Sequence, residues 1–358
     1  MSAPAPDPKK LFDSIVINAF DFIGEAVSVF KRSPKLSAIH FFTATELLLK
    51  ARLVREHWSL LFVRLEDASA SKLSHGDLQS VGLKDAHKRL IEIAQADFPP
   101  LAFEAFESLR KRRNQLVHFY SPAGLSAAKS PVRLEIIREQ CRAWHYLYEL
   151  LTRQWKDQFV DHADAIDEAA RQMRRHKEYL GVRFAELKAE IKLRVATGAK
   201  QHKCYVCDQK ALIENPGPGA VHPATCLVCE RDTTVLTTTC SCTKTLILIG
   251  EGFGTCKCGE QYTPKSLADL LHGDNYNPAK GEESDRATCT ACECFECKSV
   301  IPFDGGYFCT SCFVVWDESK IGHCGYCGDR YAGEIEDSYL EGCPNCDGHL
   351  AHVMAKDD

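Results

Sequence analysis

The chain has 358 residues, of which 45% are hydrophobic and 26% charged, as is ordinary for a soluble globular protein. Its net charge of −5 hides a division along the chain, because residues 1–160 sum to +5 and residues 201–358 to −12. The length predicts about two or three domains, and the composition excludes a collagen-like protein.

Cysteine usage divides the chain in the same way. Of the 19 cysteines, only Cys141 precedes position 200, and the others lie between Cys204 and Cys346. The opening residues lack the apolar segment of a signal peptide, and no run of about 18 apolar residues would cross a membrane. We therefore expect a cytoplasmic protein with no membrane contact. In a reducing cytosol, clustered cysteines bind metal rather than form disulfides.

The first 160 residues have the apolar periodicity of helices. Ser33 and Pro34 supply a capping residue and a first-turn proline for a long apolar helix. Polar residues and glycines over 64–83 indicate a loop. The predicted helices cover 11–30, 36–62, 84–96, 101–119 and 131–158. Residues 1–160 are therefore predicted to form an all-α bundle of about four or five helices.

Residues 161–199 are predicted to be helical and are highly charged. The apolar residues that recur at every seventh position are Ile166, Met173, Leu180 and Leu187. Lys177 and Gly181 weaken the middle of this seam. The pattern predicts a connecting helix that pairs with its copy as a coiled coil. The alternative is that the same apolar stripe packs on the bundle.

Beyond residue 200 the helical signals mostly vanish. Short runs rich in Thr, Ile and Val, such as 233–239 and 246–249, alternate with glycines and predict small β structures. Residues 272–287 read as a flexible linker that divides two such regions, 200–271 and 288–358.

All the cysteines after position 200 occur as close pairs, which are Cys204/Cys207, Cys226/Cys229, Cys240/Cys242, Cys256/Cys258, Cys289/Cys292, Cys294/Cys297, Cys309/Cys312, Cys324/Cys327 and Cys343/Cys346. A Cys-x-x-Cys turn places two thiolates on one zinc ion, and a second pair one hairpin away completes the tetrahedron. The pattern predicts zinc ribbons, one pair of them on each side of the linker, holding about four structural zinc ions.

Pairing along the chain gives the simplest assignment of ligands. The expected groups are Cys204/Cys207 with Cys226/Cys229, Cys240/Cys242 with Cys256/Cys258, Cys294/Cys297 with Cys309/Cys312, and Cys324/Cys327 with Cys343/Cys346. Cys289/Cys292 is then left over. It could take His272 or His323 as ligands, exchange with Cys294/Cys297, or remain unbound.

The predicted zinc sites are structural rather than catalytic. A catalytic zinc keeps an open position, usually with histidine or carboxylate ligands, and the motifs of zinc deaminases and metalloproteases are missing. Thiol redox chemistry is the lesser alternative. Four thiolates leave each zinc site with a net charge of −2. Residues 201–358, which we call the acidic rear, would therefore repel phosphates. We expect a protein partner or trigger to dock there.

One motif in the helical region points to chemistry. The predicted helix from residue 101 ends in four basic residues, Arg110–Arg113, followed by Asn114 and His118. Histidine can exchange protons with ribose and phosphate oxygens, and arginine can neutralise charge on the phosphate. Asn114 and His118 are four apart, so the amide can orient the imidazole. The plain alternative is a solvated helix face with a capped histidine, because Arg-x4-His also occurs at Arg52/His57 and Arg171/His176.

An all-α domain with Arg-Asn-x-x-x-His in a late helix resembles the HEPN superfamily, whose ribonucleases carry Arg-x4-6-His. The helix around residues 41–51, with Glu46 and Lys50 in an E-x-x-x-K arrangement, is similar to the second long helix of many bacterial members. The resemblance covers residues 10–160.

The resemblance implies metal-independent RNA cleavage that leaves a 2′,3′-cyclic phosphate, in a homodimer whose two motifs line one cleft. Arg113 and His118 would be catalytic, and Asn114 would polarise or position the imidazole of His118. Arg110, Lys111 and Arg112 would guide the RNA backbone. Glu46 and Lys50 would lie near the cleft, unless they are simply an i,i+4 helix pair.

The expected function is therefore an endoribonuclease regulated or targeted by structural zinc ribbons. In this superfamily such arrangements serve antiviral defence by abortive infection, or toxin-type growth arrest. The charge division suggests that the acidic rear masks the basic cleft until a trigger displaces it. The alternative is a non-catalytic scaffold of a HEPN bundle and zinc ribbons that binds protein or RNA.

Overall fold

The computed structural model describes residues 6–119, 130–272, 284–292, 298–303 and 306–350. The chain divides into two compact units, Met1–Glu186 and Leu187–Asp358. The boundary between the units falls inside the segment that the sequence assigns to a connecting helix.

The first unit is helical. Its helices are α1 (Pro8–Ser28), α2 (Pro34–Val54), α3 (Ala70–His75), α4 (Leu83–Glu92), α5 (Pro100–Asn114), α6 (Pro131–Glu149), α7 (Ala163–Arg174) and α8 (Lys177–Glu186). Asp7 caps α1 by accepting from the backbone N–H of Lys9 and Lys10. Pro34 lies in the first turn of α2, as predicted. Among the described residues, no helix is long and apolar enough to cross a membrane.

The second helix is shorter than the sequence predicts. Instead of running to Phe62 it ends at Val54, and Trp58–Leu61 form a short 3-10 turn. The break comes at His57, whose backbone is extended (φ −165°, ψ 140°) and whose Nδ1 accepts from the N–H of Ser59 at 3.2 Å. The guanidinium of Arg89 on α4 then holds the turn that follows, because it donates to the carbonyl oxygens of Leu60, Phe62 and Val63 at 2.7, 2.6 and 2.8 Å.

The core of the first unit forms around α2, whose Phe41, Phe42, Leu48 and Leu49 are buried. These side chains pack in one cluster with residues of α1, α5 and α6. A polar contact lies inside it, because Gln140 Nε2 donates to Ser37 Oγ at 2.8 Å. The face of α2 therefore sets where α5 and its basic end lie.

The single helix expected over 161–199 is three helices, α7, α8 and α9 (Lys188–Ala196). Ile166 and Met173 are buried in the core cluster of the first unit, so this part of the seven-residue repeat packs within the chain. The helix breaks at Arg175–His176 and again at Leu187. A continuous coiled-coil seam needs one unbroken helix, and this one is interrupted twice.

The second unit is built from short strands with α9 and α10 (Pro264–Leu271). The strands are β1 (Lys200–His202), β2 (Leu212–Glu214), β3 (Val221–Cys226), β4 (Asp232–Thr239), β5 (Thr245–Ile249), β6 (Gly254–Thr255), β7 (Gln261–Tyr262), β8 (Thr288–Cys289), β9 (Val300–Phe303), β10 (Gly306–Cys309), β11 (Val315–Trp316), β12 (Ile321–His323) and β13 (Arg330–Ala332). The predicted small-β character of the rear is confirmed.

The strands form four small sheets. β1 to β5 make an antiparallel meander in chain order, with Lys200 opposite Glu214 and Thr239 opposite Thr245. β6 pairs with β7, and β10 lies between β9 and β11. β13 pairs antiparallel with β12 and parallel with β8. The parallel pairing joins two segments about forty residues apart in the chain.

The two expected halves of the rear share one core. Leu236 and Leu248 of the meander lie in one buried cluster with Leu267 of α10 and Phe308 of β10. Gly252 shows how close the halves come, because a Cβ there would collide with the carbonyl oxygen of Thr310. Most of the predicted linker, residues 273–283, lies outside the described residues.

Candidate functional site

Sixteen cysteines form four groups of four in the second unit. The groups are Cys204, Cys207, Cys226 and Cys229; Cys240, Cys242, Cys256 and Cys258; Cys289, Cys292, Cys309 and Cys312; and Cys324, Cys327, Cys343 and Cys346. Within each group all the sulfur atoms lie within 4.8 Å of one another. The predicted clustering of paired cysteines into groups of four is confirmed for these sixteen residues, and the groups are suited to hold metal ions.

The spacing of the sulfur atoms fits tetrahedral coordination of one metal ion per group. Sγ–Sγ distances are 3.7 Å for Cys204–Cys229, 3.6 Å for Cys240–Cys258, 3.7 Å for Cys289–Cys312 and 3.6 Å for Cys324–Cys346. Four thiolates at a Zn–S distance of about 2.3 Å stand about 3.8 Å apart at the corners of a tetrahedron. The four sulfur atoms of one group could therefore fill the tetrahedral coordination sphere of one ion.

The local backbone explains why each pair forms. Six pairs are followed directly by a residue with left-handed backbone, φ between 59° and 97°: Asp208, Glu230, Thr243, Gly259, Phe313 and Gly328. At the first pair the N–H of Cys204 donates to Gln209 O and the N–H of Asp208 donates to Cys204 O, both at 2.9 Å. The same two bonds recur at Cys226 and Cys324. Each turn thus aims two sulfurs to one side.

The third group corrects the pairing that the sequence suggested. The partner of Cys309/Cys312 is Cys289/Cys292, whereas the chain-order assignment gave Cys294/Cys297. The parallel pairing of β8 with β13 and the bridge from Ala287 to Val300 carry Cys289 to the end of β10. Cys294 and Cys297 lie outside the described residues.

The two histidines considered as ligands are engaged elsewhere. His272 Nε2 lies 2.6 Å from Asp285 Oδ2, and His323 Nδ1 lies 3.3 Å from Gly328 O. All four ligands of the third group are therefore cysteines.

A buried carboxylate, which the sequence did not single out, lies beside the first group. Glu214 is fully buried on β2, with Lys200 Nζ at 3.2 Å, His202 Nε2 at 2.5 Å and His222 Nδ1 at 3.0 Å. Burial raises the pKa of Glu214, but hydrogen bonds from His202 and Lys200 outweigh it and hold the pKa below its usual value. The ionised group ties β1, β2 and β3 together.

The Arg-His motif lies where α5 ends. The α-helix stops at Asn114, which is half-buried, and Gln115–Phe119 form a wider turn of π-helix that carries the exposed His118. On an α-helix, residues five apart point about 140° apart. Because a π-turn holds more residues, it reduces the angle between Arg113 and His118.

Arg113 is held in place by α2. Its Nη2 lies 3.4 Å from Glu46 Oε2, and its guanidinium lies over the ring of Phe42, 4.7 Å from the centroid. The side chains of Arg113 and Glu46 remain 26% and 20% exposed. The contact between Phe42 and Arg113 was not predicted from the sequence. Phe42 lies one helical turn before Glu46 on the same face of α2, and this position could have indicated the contact.

Two of the other basic residues are paired with acids. Arg110 donates to both carboxylate oxygens of Glu107, at 2.7 and 2.8 Å, and this bond lowers the pKa of Glu107. Arg112 donates to Glu139 on α6 at 2.7 Å and lies 2.9 Å from Glu135. Lys111 is exposed. The basic run is thus largely neutralised within the bundle.

Lys50 lies close to Glu46, the acid that also contacts Arg113. Its Nζ donates to Ser80 Oγ at 3.1 Å. Burial lowers the pKa of Lys50, and the nearby charge of Glu46 opposes this shift. Glu46 therefore faces Lys50 on its own helix and Arg113 on α5. The structure brings three of the predicted site residues together.

Comparisons with known proteins assign no role to these residues, so their function is inferred from their chemistry alone. No protein-family model, no curated protein and no solved structure matches the chain.

Proposed function

We propose that the chain is a metal-independent endoribonuclease of the HEPN kind that works as a homodimer. The observation that carries the proposal is the widened turn between Arg113 and His118, which brings the two side chains closer to one side of the helix end. π-turns of this sort are frequently found at functional sites.

Each residue of the motif has its own role in the proposed cleavage reaction. The ribose 2′-oxygen attacks the adjacent phosphorus, and the bond from phosphorus to the 5′-oxygen breaks. One His118 takes the 2′-hydroxyl proton, and His118 of the partner subunit gives a proton to the departing 5′-oxygen. Arg113 neutralises charge on the phosphate, and Asn114 positions the histidine. The products are a 2′,3′-cyclic phosphate and a 5′-hydroxyl.

Arg113 suits this role because it is pre-positioned. Phe42 stacks under its guanidinium and Glu46 fixes its orientation, while a quarter of its side chain remains exposed. A guanidinium already ordered in the resting protein loses little side-chain entropy when it binds phosphate. Lys50 adds a second positive charge beside the same acid.

The four cysteine groups are proposed to hold zinc. Tetrahedral tetrathiolate sites fit zinc best, and structural zinc stabilises domains too small for a full apolar core. The ions hold the acidic rear folded, and that rear regulates or targets cleavage in the cytoplasm, as part of phage defence or growth arrest.

The test is cleavage of end-labelled RNA without added divalent metal. The proteins compared are the wild type, His118→Ala and the control His57→Ala, which removes an exposed histidine with the same spacing from an arginine. We expect His118→Ala to lose about a hundredfold or more in rate, His57→Ala to retain full rate, and product ends to be cyclic phosphates by mass spectrometry. Equal cleavage by wild type and His118→Ala overturns the proposal.

A second candidate is a non-catalytic scaffold. The observation that favours it is the pairing of Arg110 with Glu107 and of Arg112 with Glu139, which leaves little positive charge to hold an RNA backbone. The same experiment separates the two functions. Absence of cleavage by the zinc-loaded wild type, with any RNA tested, favours the scaffold.

A further inference from the structure

Three aromatic rings form an exposed corner on the last cysteine group. Tyr326 lies inside the Cys324–Cys327 turn, and Tyr339 and His349 flank the Cys343–Cys346 turn. The rings of Tyr339 and His349 stack, with centroids 5.2 Å apart and an interplanar angle of 26°. Tyr326 stands across both, at 6.1 Å and 70° from Tyr339 and at 6.2 Å and 51° from His349.

The corner continues into a larger apolar patch. Tyr326 and Tyr339 are 39% and 48% exposed, and the neighbouring Leu340 and Leu350 are 37% and 50% exposed. Backbone bonds from His349 N to Tyr339 O (2.8 Å) and from Leu350 N to Leu340 O (3.2 Å) place these residues side by side. We call these five residues the aromatic corner. Exposed apolar patches rimmed by polar groups mark interaction surfaces.

The geometry of the corner is fixed by the cysteine turn. Gly325 N–H donates to Ser338 Oγ at 2.9 Å. Asp337 Oδ1 accepts from the N–H of Tyr339 and of Leu340, both at 3.1 Å. The rings are thus ordered before any partner arrives, which reduces the entropy lost on binding.

The charge around the corner selects the partner. Residues 317–350 contain eight acidic residues and two basic ones, Lys320 and Arg330. Lys320 is paired with Glu334, and Arg330 bonds the hydroxyl of Tyr307. A tetrathiolate zinc adds further negative charge. Aromatic rings alone could stack on nucleic-acid bases, but this field repels phosphates and attracts cations.

We propose that the aromatic corner is the docking surface for an arginine- or lysine-rich segment of a protein partner. A guanidinium or ammonium group lies against the ring faces, where the aromatic quadrupole attracts it, and the acidic rim draws the rest of the segment in. This surface lies outside the Arg113–His118 motif, so the inference does not depend on RNA cleavage.

The test measures anisotropy of a fluorescent peptide of repeated Arg-Gly-Gly units titrated with the full, zinc-loaded chain. The substitutions Tyr326→Ala with Tyr339→Ala change no charge, so a loss of binding reports the rings. We expect the double variant to bind about tenfold more weakly. The matched control is Tyr205→Ala, which removes a 54% exposed tyrosine from the Cys204–Cys207 turn and is expected to bind as the wild type does.

Folding is checked by the ratio of zinc to protein in each variant. If the double variant loses zinc, Tyr339→Phe and Tyr339→Leu replace it, with the phenyl ring expected to retain binding and the aliphatic chain to weaken it. Wild-type affinity in the variants without rings overturns the proposal, because the peptide then senses only overall acidity. A fluorescent RNA oligonucleotide, titrated without the peptide, that binds the wild type but not the double variant overturns it as well.

Discussion

The Nη2 atom of Arg113 lies 3.4 Å from Oε2 of Glu46, and this contact joins α5 to α2. The arginine also covers the ring of Phe42, one turn before Glu46. Two residues that the sequence placed in separate motifs are therefore one unit of structure, and the acid controls how the arginine is presented.

Glu46→Gln is expected to destabilise the helical unit by about 1 kcal/mol, because the charge that balances Arg113 and Lys50 is lost in a partly exposed setting. Urea unfolding followed by far-UV circular dichroism measures this. The control is Glu104→Gln on α5, where the carboxylate is exposed and no change is expected. Equal stability of both variants would show that the contact does not hold the helices.

Arg113→Lys is expected to reduce RNA cleavage by about tenfold or more, although the charge is kept. A lysine cannot stack a planar group on Phe42 and bond Glu46 together. Single-turnover rates measure the loss. Lys111→Arg, at an exposed neighbouring position, serves as control and is expected to cleave normally. Full activity of Arg113→Lys would mean that point charge alone is required.

Arg89 is expected to be among the most sensitive residues of the first unit. Arg89→Met leaves the carbonyls of Leu60, Phe62 and Val63 without their donor, at a cost of about 2–3 kcal/mol. Lys88→Met, which removes an exposed ion pair with Glu92 on the same helix, is expected to cost about 0.5 kcal/mol or less. Thermal unfolding of the two variants gives the comparison, and similar melting temperatures would contradict it.

The helical unit is expected to lose stability in mild acid through His145. Burial, with Arg183, Arg153 and Arg142 nearby, lowers the pKa of His145 to about 4. An unfolded histidine has a pKa of about 6.5, so the unfolded chain binds a proton below that value while the folded chain stays neutral. Stability is therefore complete above about pH 6.5 and falls by up to about 3 kcal/mol towards pH 4.

His145→Phe removes this titration, so its stability is expected to vary less with pH between about 6.5 and 4 than that of the wild type. His75→Gln, at an exposed histidine, is expected to keep the wild-type slope. Urea midpoints measured across the range provide the test. Parallel curves for wild type and His145→Phe would refute it.

The sequence was sufficient to predict the features that depend on local pattern. Apolar periodicity predicted the helices of residues 1–160, and the short spacing within each cysteine pair predicted that the pair would lie in one turn. What the sequence could not predict depends on contacts far along the chain. The short turn that follows α2 is held by Arg89 on α4, which binds the carbonyl oxygens of Leu60, Phe62 and Val63. The third cysteine group forms because the bridge from Ala287 to Val300 brings Cys289 towards Cys309, and the spacing of the cysteines in the sequence does not show this pairing.

Zinc content provides the test of that third group. Cys289→Ser is expected to lower the zinc bound per chain from about four to about three, because three thiolates do not close the tetrahedron. Cys294→Ser is expected to leave the content unchanged, since Cys289, Cys292, Cys309 and Cys312 already supply four ligands. Atomic emission on purified protein gives both numbers. Loss of zinc from Cys294→Ser with none from Cys289→Ser would restore the chain-order pairing, in which Cys294 and Cys297 serve the ion held by Cys309 and Cys312.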